Sequence, residues 1–333
     1  MIKPGVSVII PVYGTSCYIE KCAHSLFGQT LKNAEYIFVN DATTDDSIQK
    51  LEKVVKLYPE IAHRVKILHH LQNTGTAIAR NTALNHAGGE YILMVDSDDY
   101  IDKDMLKSLY DLAKETDADI VVSDFYIEYE NKTVYFSDYL SPKHEDHFGD
   151  ILSGERSSPS LCNKLIKREL YLLPENRNVL PMKYMEDRFV ASRLFFSARK
   201  IIKADFACYH YVKLNRQSAT NQINLAHFGD TLIFWSSMDE FMSKNKIAEK
   251  YSELAGVLKL KDKVKLMFNT TSVENRKQFA GMFSVEEKLY KNQFTPVERI
   301  MLKLIELKMF WLTGLLRSIV FVKNNIFNFA PNK

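Results

Sequence analysis

The sequence YILMVDSDD, residues 91–99, joins five apolar residues to three carboxylates within four positions. A short apolar run that ends in a turn-forming cluster is typical of a strand buried on both faces of a parallel sheet. Asp96, Asp98 and Asp99 would then follow the carboxyl end of that strand, where open α/β sheets bind ligands. Carboxylate oxygens at this edge suit Mg²⁺ or Mn²⁺ with a phosphorylated substrate. Taken alone, the same residues also fit a solvated turn that caps the next helix.

Strand-like and helix-like segments alternate on both sides of this stretch. Runs of β-branched and apolar residues predict strands, and apolar residues spaced i, i+3, i+4 and i+7 predict amphipathic helices. The predicted strands are 6–12, 36–39, 65–68, 91–95 and 120–123, and the predicted helices are 18–30, 46–55, 76–87 and 102–113. This alternation predicts a right-handed, doubly wound, mostly parallel α/β sheet.

The alternation weakens after residue 124. The pattern predicts a hairpin at 125–135, a polar loop at 141–160, a strand-to-helix transition at 162–170, a helix opened by residues 185–187, and a late strand at 207–212. From Leu225 the periodicity is helical nearly throughout. We therefore predict two parts, a catalytic domain of residues 1–224 and a helical C-terminal region of residues 225–333.

Composition and cysteine usage indicate a globular protein that stays inside the cell. The chain has 333 residues, of which 46% are hydrophobic, enough to bury one large core or two smaller ones. Its four cysteines are scattered without a Cys-x-x-Cys pair, which argues against a zinc site or a disulfide framework. The N-terminus lacks the long apolar segment of a signal peptide. We expect a cytoplasmic protein, with the inner face of the cell membrane as the alternative location.

The charge is unevenly distributed. Residues 225–333 hold 17 Lys and Arg against 11 Asp and Glu, whereas residues 1–224 hold 27 against 30. Basic residues alternate with apolar ones in residues 296–333, a pattern that fits a helix lying on a membrane surface. The same pattern equally fits a helix packed on the catalytic domain or on another subunit of an oligomer. A nucleic-acid partner is not expected, because the basic residues are not grouped with aromatic ones in the sheet region.

Five motifs occur in order along the predicted strand ends. They are Pro11-Val12-Tyr13, Asn40-Asp41-Ala42-Thr43-Thr44-Asp45, Asn73-Thr74-Gly75 with Ala79-Arg80-Asn81, Asp96-Ser97-Asp98, and Glu186-Asp187. This set resembles glycosyltransferase family 2, whose members have the GT-A fold, a Rossmann-like, doubly wound mixed sheet. The resemblance covers roughly residues 6–220. The sequence departs from the family at Asn40 and Ala42, where the family usually has Asp and Gly.

The resemblance implies a role for each motif. Asp187 would be the general base, with Glu186 as its neighbour, and Asp98 would bind Mn²⁺ or Mg²⁺. His210 is a second metal ligand in one interpretation and a structural residue in the other, and Lys164 would meet either a phosphate or a surface carboxylate. The residues assigned to the nucleotide sugar are Pro11, Val12, Tyr13, Asp41, Asn73, Gly75, Arg80, Asp96 and Ser97.

The resemblance therefore predicts a metal-dependent, inverting glycosyltransferase. The donor would be a nucleotide-diphosphate sugar, most simply UDP-linked, and the acceptor a glycan or lipid-linked glycan of the bacterial cell surface. The alternative is a catalytically silent nucleotide-sugar-binding scaffold in a glycan-assembly complex. A nucleotidyltransferase or dehydrogenase would need a Gly-rich phosphate loop after the first strand, and Gly14 alone does not make one.

Overall fold

The structure is a computed structural model that describes residues 3–177, 182–214, 225–270, 272–310 and 312–313. Contacts between residues divide the chain into two units, Met1–Ala219 and Thr220–Lys333. The boundary predicted near residue 224 lies outside the described residues, so its place stays a prediction.

The first unit alternates strands and helices as the sequence predicts. Its strands are β1 (Val6–Val12), β2 (Ala34–Asn40), β3 (Val65–His69), β4 (Tyr91–Met94), β5 (Tyr100–Ile101), β6 (Ile120–Tyr129), β7 (Lys132–Phe136), β8 (Lys164–Lys167) and β9 (Ile201–Val212). Its helices are α1 (Ile19–Phe27), α2 (Ser47–Lys56), α3 (Thr76–His86), α4 (Met105–Thr116), α5 (His147–Ser153), α6 (Arg168–Leu172) and α7 (Glu186–Ser197).

Within the described part of this unit, the nine strands form one mixed sheet. The order is β3-β2-β1-β4-β8-β6-β9-β5, and β7 pairs with β6 outside this path. The four strands β3, β2, β1 and β4 are mutually parallel, whereas β8 runs antiparallel to both β4 and β6. The carboxyl ends of β1, β2 and β4 therefore meet at one edge of the sheet.

The central strands are apolar because helices or further chain cover both of their faces. All four residues of β4 are buried, as are six of the seven residues of β1 and of β2. Strands buried on both faces lose the alternation of polar and apolar residues, which explains the continuous apolar runs in the sequence. The amphipathic helix α1 buries Ile19, Cys22, Ala23, Leu26 and Phe27, the residues that its periodicity predicts.

Two sequence-based predictions for this unit need correction. Residues 141–160, predicted as a polar loop, contain the helix α5, whose Phe148, Ile151 and Leu152 are buried. The late strand begins at Ile201 rather than at residue 207. Buried and exposed residues do not alternate regularly along this strand, so the sequence of its first half shows no clear two-residue period. The predicted hairpin is present as the antiparallel pair β6–β7.

The second unit is helical in its described residues. Its helices are α8 (Leu225–Lys244), α9 (Ala248–Asn269), α10 (Val273–Ala280), α11 (Ser284–Tyr290) and α12 (Pro296–Glu306). The ammonium of Lys263 is fully buried and donates to the carbonyls of Ala280 and Met282 at 2.7 and 2.9 Å and to Glu287 at 2.7 Å. A buried charge needs such partners, so Lys263 links α9 to the end of α10 and to α11.

Helix α12 begins the basic, amphipathic stretch of the sequence. Thr295 and Glu298 form a capping box at its start. Met301, Leu302 and Ile305 lie in the core of the helical unit, so this part of the apolar face is packed against protein. Residues 314–333 lie outside the described residues, and the membrane contact predicted for 296–333 stays a prediction. Within the described residues, no helix combines the length and apolar composition needed to cross a membrane.

Candidate functional site

The loops that follow β1 and β2 are joined by hydrogen bonds. The backbone N–H of Gly14 donates to Oγ1 of Thr43 at 2.9 Å, and the backbone N–H of Ser16 donates to Oδ2 of Asp45 at 2.9 Å. Asp45 also accepts from Thr43 and from the hydroxyl and backbone of Ser47 at the start of α2. These bonds fix one side of the carboxyl edge of the sheet.

Asp41, which follows β2, has hydrogen-bond partners at both of its carboxylate oxygens. Its Oδ1 accepts from the backbone N–H and the hydroxyl of Thr74, at 2.9 and 2.8 Å, and lies 2.8 Å from Nδ1 of His70. Its Oδ2 accepts from the backbone N–H of Gly75 at 2.7 Å. Burial acts to raise the pKa of Asp41, but the hydrogen bonds from Thr74, His70 and Gly75 outweigh it and hold the pKa below its ordinary value. Asp41 thus ties β2 to the loop before α3.

Two backbone positions near Asp41 have positive φ angles. Gly75, the residue before α3, has a φ of 90°, a value that glycine adopts without steric cost. Ala42 has a φ of 57°, in the left-handed region that disfavours a Cβ atom. This is the position where the sequence departs from the family's Gly, so the backbone keeps the glycine-like conformation although the residue has changed.

The acidic turn after β4 is anchored through its last aspartate. Asp99 is 2% exposed, accepts a hydrogen bond from the hydroxyl of Tyr209, and accepts another from the backbone N–H of Val212 at 2.7 Å. Burial, and then the charges of Asp98 and Asp96, raise the pKa of Asp99. Both anchoring groups belong to β9, so Asp99 holds the turn on that strand. Ser97 is buried inside the turn, and Asp98 is partly exposed.

The side chain of Asp96 is held by two groups that come from other elements. Its Oδ1 accepts from Nη2 of Arg80 at 2.9 Å, and its Oδ2 lies 3.4 Å from Sγ of Cys162. Burial, and then the charge of Asp96, raise the pKa of the Cys162 thiol, which therefore keeps its proton and acts as a weak donor. No motif in the sequence pointed to Cys162, because its partner is 66 residues away in the chain.

Arg80 connects Asp96 to Asp187. The residue is 5% exposed, and its Nη1 donates to Oδ1 of Asp187 while Nη2 donates to Asp96. Burial acts to lower the pKa of Arg80, but the charges of Asp187 and Asp96 outweigh it and raise the pKa. The guanidinium therefore stays charged and brings the acidic turn and the start of α7 together.

Asp187 and Glu186 have different environments although they are adjacent. The Asp187 side chain is 26% exposed. Glu186 lines a cavity together with Leu84, Met94 and Tyr171. Burial, and then the charge of Asp187, raise the pKa of Glu186 to about 8, so Glu186 is mostly protonated at neutral pH. Of the two, Asp187 is the carboxylate that Arg80 holds by one oxygen and that is partly open to solvent.

The remaining predicted residues are placed as follows. Pro11 is partly buried and Val12 fully buried at the end of β1, and Tyr13 is 52% exposed beyond it. Asn73 is exposed in the loop before α3. Tyr13 and Asn73 therefore present side chains to solvent at the carboxyl edge, and their contact with a nucleotide sugar stays a prediction.

His210 lies on β9, between aromatic neighbours. Its ring stacks on Tyr100 at 4.3 Å and on Tyr126 at 4.9 Å between ring centroids. Its Nδ1 lies 2.7 Å from Glu128, and its Nε2 lies 3.2 Å from Asp102. Both ring nitrogens thus have partners other than Asp98. This environment favours the structural interpretation of His210, and its role as a metal ligand stays a prediction.

Lys164 has a structural environment that the sequence did not indicate. Its side chain is fully buried, and its ammonium donates to the carbonyls of Ser158 and Ser160 at 2.8 and 2.7 Å and to Asn163 at 2.7 Å. Asp138, also fully buried, lies 3.5 Å away. Burial lowers the pKa of Lys164 against the opposing charge of Asp138. The partners of Lys164 are other groups of the protein, which fit neither the phosphate nor the surface carboxylate expected from the sequence. Lys164 therefore holds the loop before β8.

The carboxylate oxygens of the acidic turn suit a divalent metal ion that binds together with a diphosphate. Within the described residues, no group of three or more His, Cys, Asp or Glu is arranged to hold a metal ion. Mg²⁺ bound with a nucleotide needs only one or two protein carboxylates, because phosphates and waters supply the other ligands. Asp98 can provide one such carboxylate, since it is partly exposed in the turn after β4.

The model for "Glycosyl transferase family 2" matches residues 7–172, which include the loops of Asp41 and Arg80 and the acidic turn. The chain is a family 2 glycosyltransferase. This glycosyltransferase is 31% identical over 222 residues to the glycosyltransferase GlyA of Streptococcus pneumoniae, an alignment that covers 63% of this chain and 31% of GlyA. It is 28% identical over 259 residues to the putative glycosyltransferase EpsH of Bacillus subtilis, covering 75% of this chain and 73% of EpsH. The aligned part thus spans about a third of GlyA.

Solved structures resemble the enzyme over most of its length. The crystal structure of S. aureus TarS 1–349 in complex with UDP superposes with a TM-score of 0.66, covering 94% of this chain and 90% of that chain. The sequences are 19% identical, so the likeness shows the fold. It confirms the GT-A fold that the motif order predicts, and helices α8 to α12 confirm the helical C-terminal region that the periodicity predicts.

Proposed function

We propose that this glycosyltransferase transfers a sugar from a UDP-linked donor to a hydroxyl of a cell-surface glycan, with inversion at the anomeric carbon and with a divalent metal ion. TarS structures contain UDP or UDP-GlcNAc. A relative 32% identical over 213 residues, which cover 62% of this chain and 32% of that protein, is the poly(ribitol-phosphate) beta-glucosyltransferase of Bacillus spizizenii. The activity and substrates of the whole enzyme are part of this proposal.

The observation that carries the proposal is the pair of carboxylates at one edge of the sheet. Asp96 and Asp187 are held by one buried guanidinium, and Asp98 lies two residues after Asp96 in the same turn. A diphosphate bound at the acidic turn would place the anomeric carbon of its sugar near Asp187. A transferase needs this combination of a donor site and a separate base, whereas a scaffold that only binds the donor does not need the base.

In the proposed reaction, Asp187 is the general base. The acceptor hydroxyl transfers its proton to the Asp187 carboxylate as its oxygen forms a bond to the anomeric carbon. The bond from that carbon to the diphosphate oxygen breaks at the same time, and the nucleoside diphosphate leaves on the opposite side. A single displacement of this kind inverts the anomeric centre. The base must lie within hydrogen-bond reach of the acceptor hydroxyl.

The donor site would use residues of the earlier strands. Val12 and Tyr13 would provide an apolar surface for the base, and Asp41 and Gly75 would shape the loop beside it. Asp98 would hold Mn²⁺ or Mg²⁺, which when bound supplies positive charge to the leaving diphosphate. With that charge supplied, the leaving diphosphate would need no general acid.

A donor panel tests the proposal. Thermal unfolding is measured with Mn²⁺ and UDP-GlcNAc, UDP-glucose, UDP-galactose, UDP-GalNAc or UDP-glucuronic acid, because a ligand at 100 times its Kd stabilises a protein by about 2.7 kcal/mol. Release of UDP is then measured for each donor that stabilises the enzyme. Binding without UDP release, with or without added glycan acceptors, would instead support the silent scaffold.

The metal role is tested by calorimetry of UDP binding with Mn²⁺ and with EDTA. We expect EDTA to weaken UDP binding and Asp98→Ala to remove the metal-dependent part of the affinity. Asp111→Ala is the matched control, because Asp111 lies on the surface of α4 and pairs with Lys107. Full UDP affinity in EDTA, or an unchanged Asp98→Ala variant, would exclude the metal role.

A further inference from the structure

The sequence motif places Arg80 among the residues that bind the nucleotide sugar, but its contacts indicate another role. Both terminal nitrogens of its guanidinium are used within the protein, one by Asp96 and one by Asp187. The residue is 5% exposed, which leaves little surface for a ligand. Arg80 is therefore poorly available to bind a donor and well placed to hold a carboxylate.

The contact with Arg80 uses only one oxygen of Asp187. Oδ1 accepts from Nη1 of Arg80, and within the part of the chain that the structure describes, Oδ2 has no hydrogen-bond partner. A planar guanidinium fixes the direction of its hydrogen bonds more strongly than an ammonium does. With Oδ1 held, the direction of Oδ2 is set, and Oδ2 remains available to accept a proton.

The charges around Arg80 match this arrangement. Glu186 lines the same cavity as Arg80, and burial raises its pKa to about 8, so at neutral pH it carries little charge. The single cation of Arg80 then faces two carboxylates, Asp96 and Asp187, rather than three. Asp96 belongs to the acidic turn and Asp187 is the candidate base, so the guanidinium links the two halves of the site.

We propose that Arg80 is a positioning residue for Asp187. Arg80 holds Oδ1 of this base, and the contact of Arg80 with Asp96 fixes the orientation of Asp187 relative to the acidic turn. Arg80 acts through Asp187 and does not contact the donor. This inference rests on the proposed function, because it requires Asp187 to be the general base.

The test is a double-mutant cycle on UDP release, with the donor of the panel that turns over fastest, in Mn²⁺. Arg80→Lys keeps the positive charge but loses the planar guanidinium, which donates to Asp187 and to Asp96 through two different nitrogens. We expect its kcat to fall by roughly 10- to 100-fold, since a small misplacement of a reacting group has an effect of this size, while the donor KM changes by less than about threefold. The double variant Arg80→Lys/Asp187→Asn should be no slower than Asp187→Asn, because effects of residues that act as a unit do not multiply.

Arg177→Lys is the matched control. Arg177 lines the same cavity, but its Nε donates to the carbonyl of Tyr171 at 2.8 Å and its Nη1 donates to Asn85 at 2.8 Å, so it touches neither carboxylate. We expect its kcat and donor KM to match those of the wild type. An equal loss in Arg177→Lys would mean that cavity packing causes the effect, and the positioning role would be wrong.

Other outcomes separate this inference from the proposed function. A raised donor KM with unchanged kcat in Arg80→Lys, or losses that multiply in the double variant, would make Arg80 a donor-binding residue. A fully active Asp187→Asn would overturn the proposed function instead. If Arg80→Lys does not fold, as judged by thermal unfolding, Arg80→Gln takes its place in the cycle with the same expected pattern.

Discussion

Asp41 and Asp187 both lie at the ligand edge of the sheet, yet their surroundings differ. Asp41 is 3% exposed, and both of its oxygens are occupied by Thr74, Gly75 and His70. Asp187 has a side chain that is 26% exposed and has one oxygen held by Arg80. A carboxylate whose lone pairs are used by the protein holds a loop, whereas one with an open oxygen can take a proton. Under the proposed function, the comparison supports a structural role for Asp41 and the role of base for Asp187.

The largest expected effect comes from a variant of Asp187 that can no longer accept a proton at its open oxygen. Asp187→Asn keeps the shape of the side chain but cannot accept the acceptor's proton, so the rate of sugar transfer should fall by roughly 10²–10⁴-fold, the usual contribution of a general base. UDP affinity should stay close to that of the wild type, because the donor site is built by earlier strands. Steady-state kinetics and calorimetry measure the two quantities.

Glu186→Gln is the control for this change and should slow transfer less. Equal losses in the two variants would mean that the pair acts as a unit or that the other carboxylate is the base. Either result would mean that the open oxygen of Asp187 does not by itself identify the base.

A smaller effect, on stability, is expected at the saturated carboxylate. In Asp41→Asn an amide NH₂ would face the N–H donors of the Thr74 loop, and a buried unsatisfied group costs about 1–3 kcal/mol. Because the pKa of Asp41 is held below its ordinary value, the difference should be present at neutral pH and vanish as acid protonates Asp41 in the wild type. Urea unfolding measures it at pH 7 and at a series of pH values below the ordinary Asp pKa of 3.8. Asp46→Asn is the control, since Asp46 is exposed, and equal stability of the Asp41 and Asp46 variants would contradict the assignment.

The raised pKa of Glu186 predicts a pH-dependent stability. The folded protein keeps a proton that the unfolded chain releases between the ordinary pKa of 4.5 and about 8, so the free energy of unfolding should fall as pH rises through this range. Glu186→Gln removes this dependence. The variant should match the wild type near pH 4.5 and exceed it above pH 8 by on the order of 1–2 kcal/mol, since partial exposure reduces the effect. Parallel stability curves for the two proteins would show that Glu186 ionises normally.

The smallest expected effect concerns the loop beside Asp41. Ala42 has a φ of 57°, where a Cβ atom is strained and glycine is not. Ala42→Gly should raise stability by ~0.5 kcal/mol, the relief of strain less the added chain entropy of glycine. Thermal unfolding measures the change. Ala83→Gly, inside α3, should destabilise the protein, and a loss of stability in both variants would mean that Ala42 is not strained.

Local pattern was sufficient for most of the fold. Continuous apolar runs predicted β1, β2 and β4, and helical periodicity predicted α1 to α4, because each pattern reflects burial along a few consecutive residues. Helix α5 was missed because its short apolar stretch lies among polar residues. The position of β8 between β4 and β6, antiparallel to both, has no local signal, since strand order depends on chain closure over long distances.

The sequence by itself determined which residue types stand at the strand ends: the aspartates, the glycine before α3, and the Glu-Asp pair that opens α7. Only the tertiary structure decided their partners. Arg80 meets Asp187 across 107 residues of chain, and Asp41 meets Gly75 across 34. A motif records that a carboxylate is present, but its charge state and reactivity depend on which donors the folded chain brings to it and how much water remains beside it.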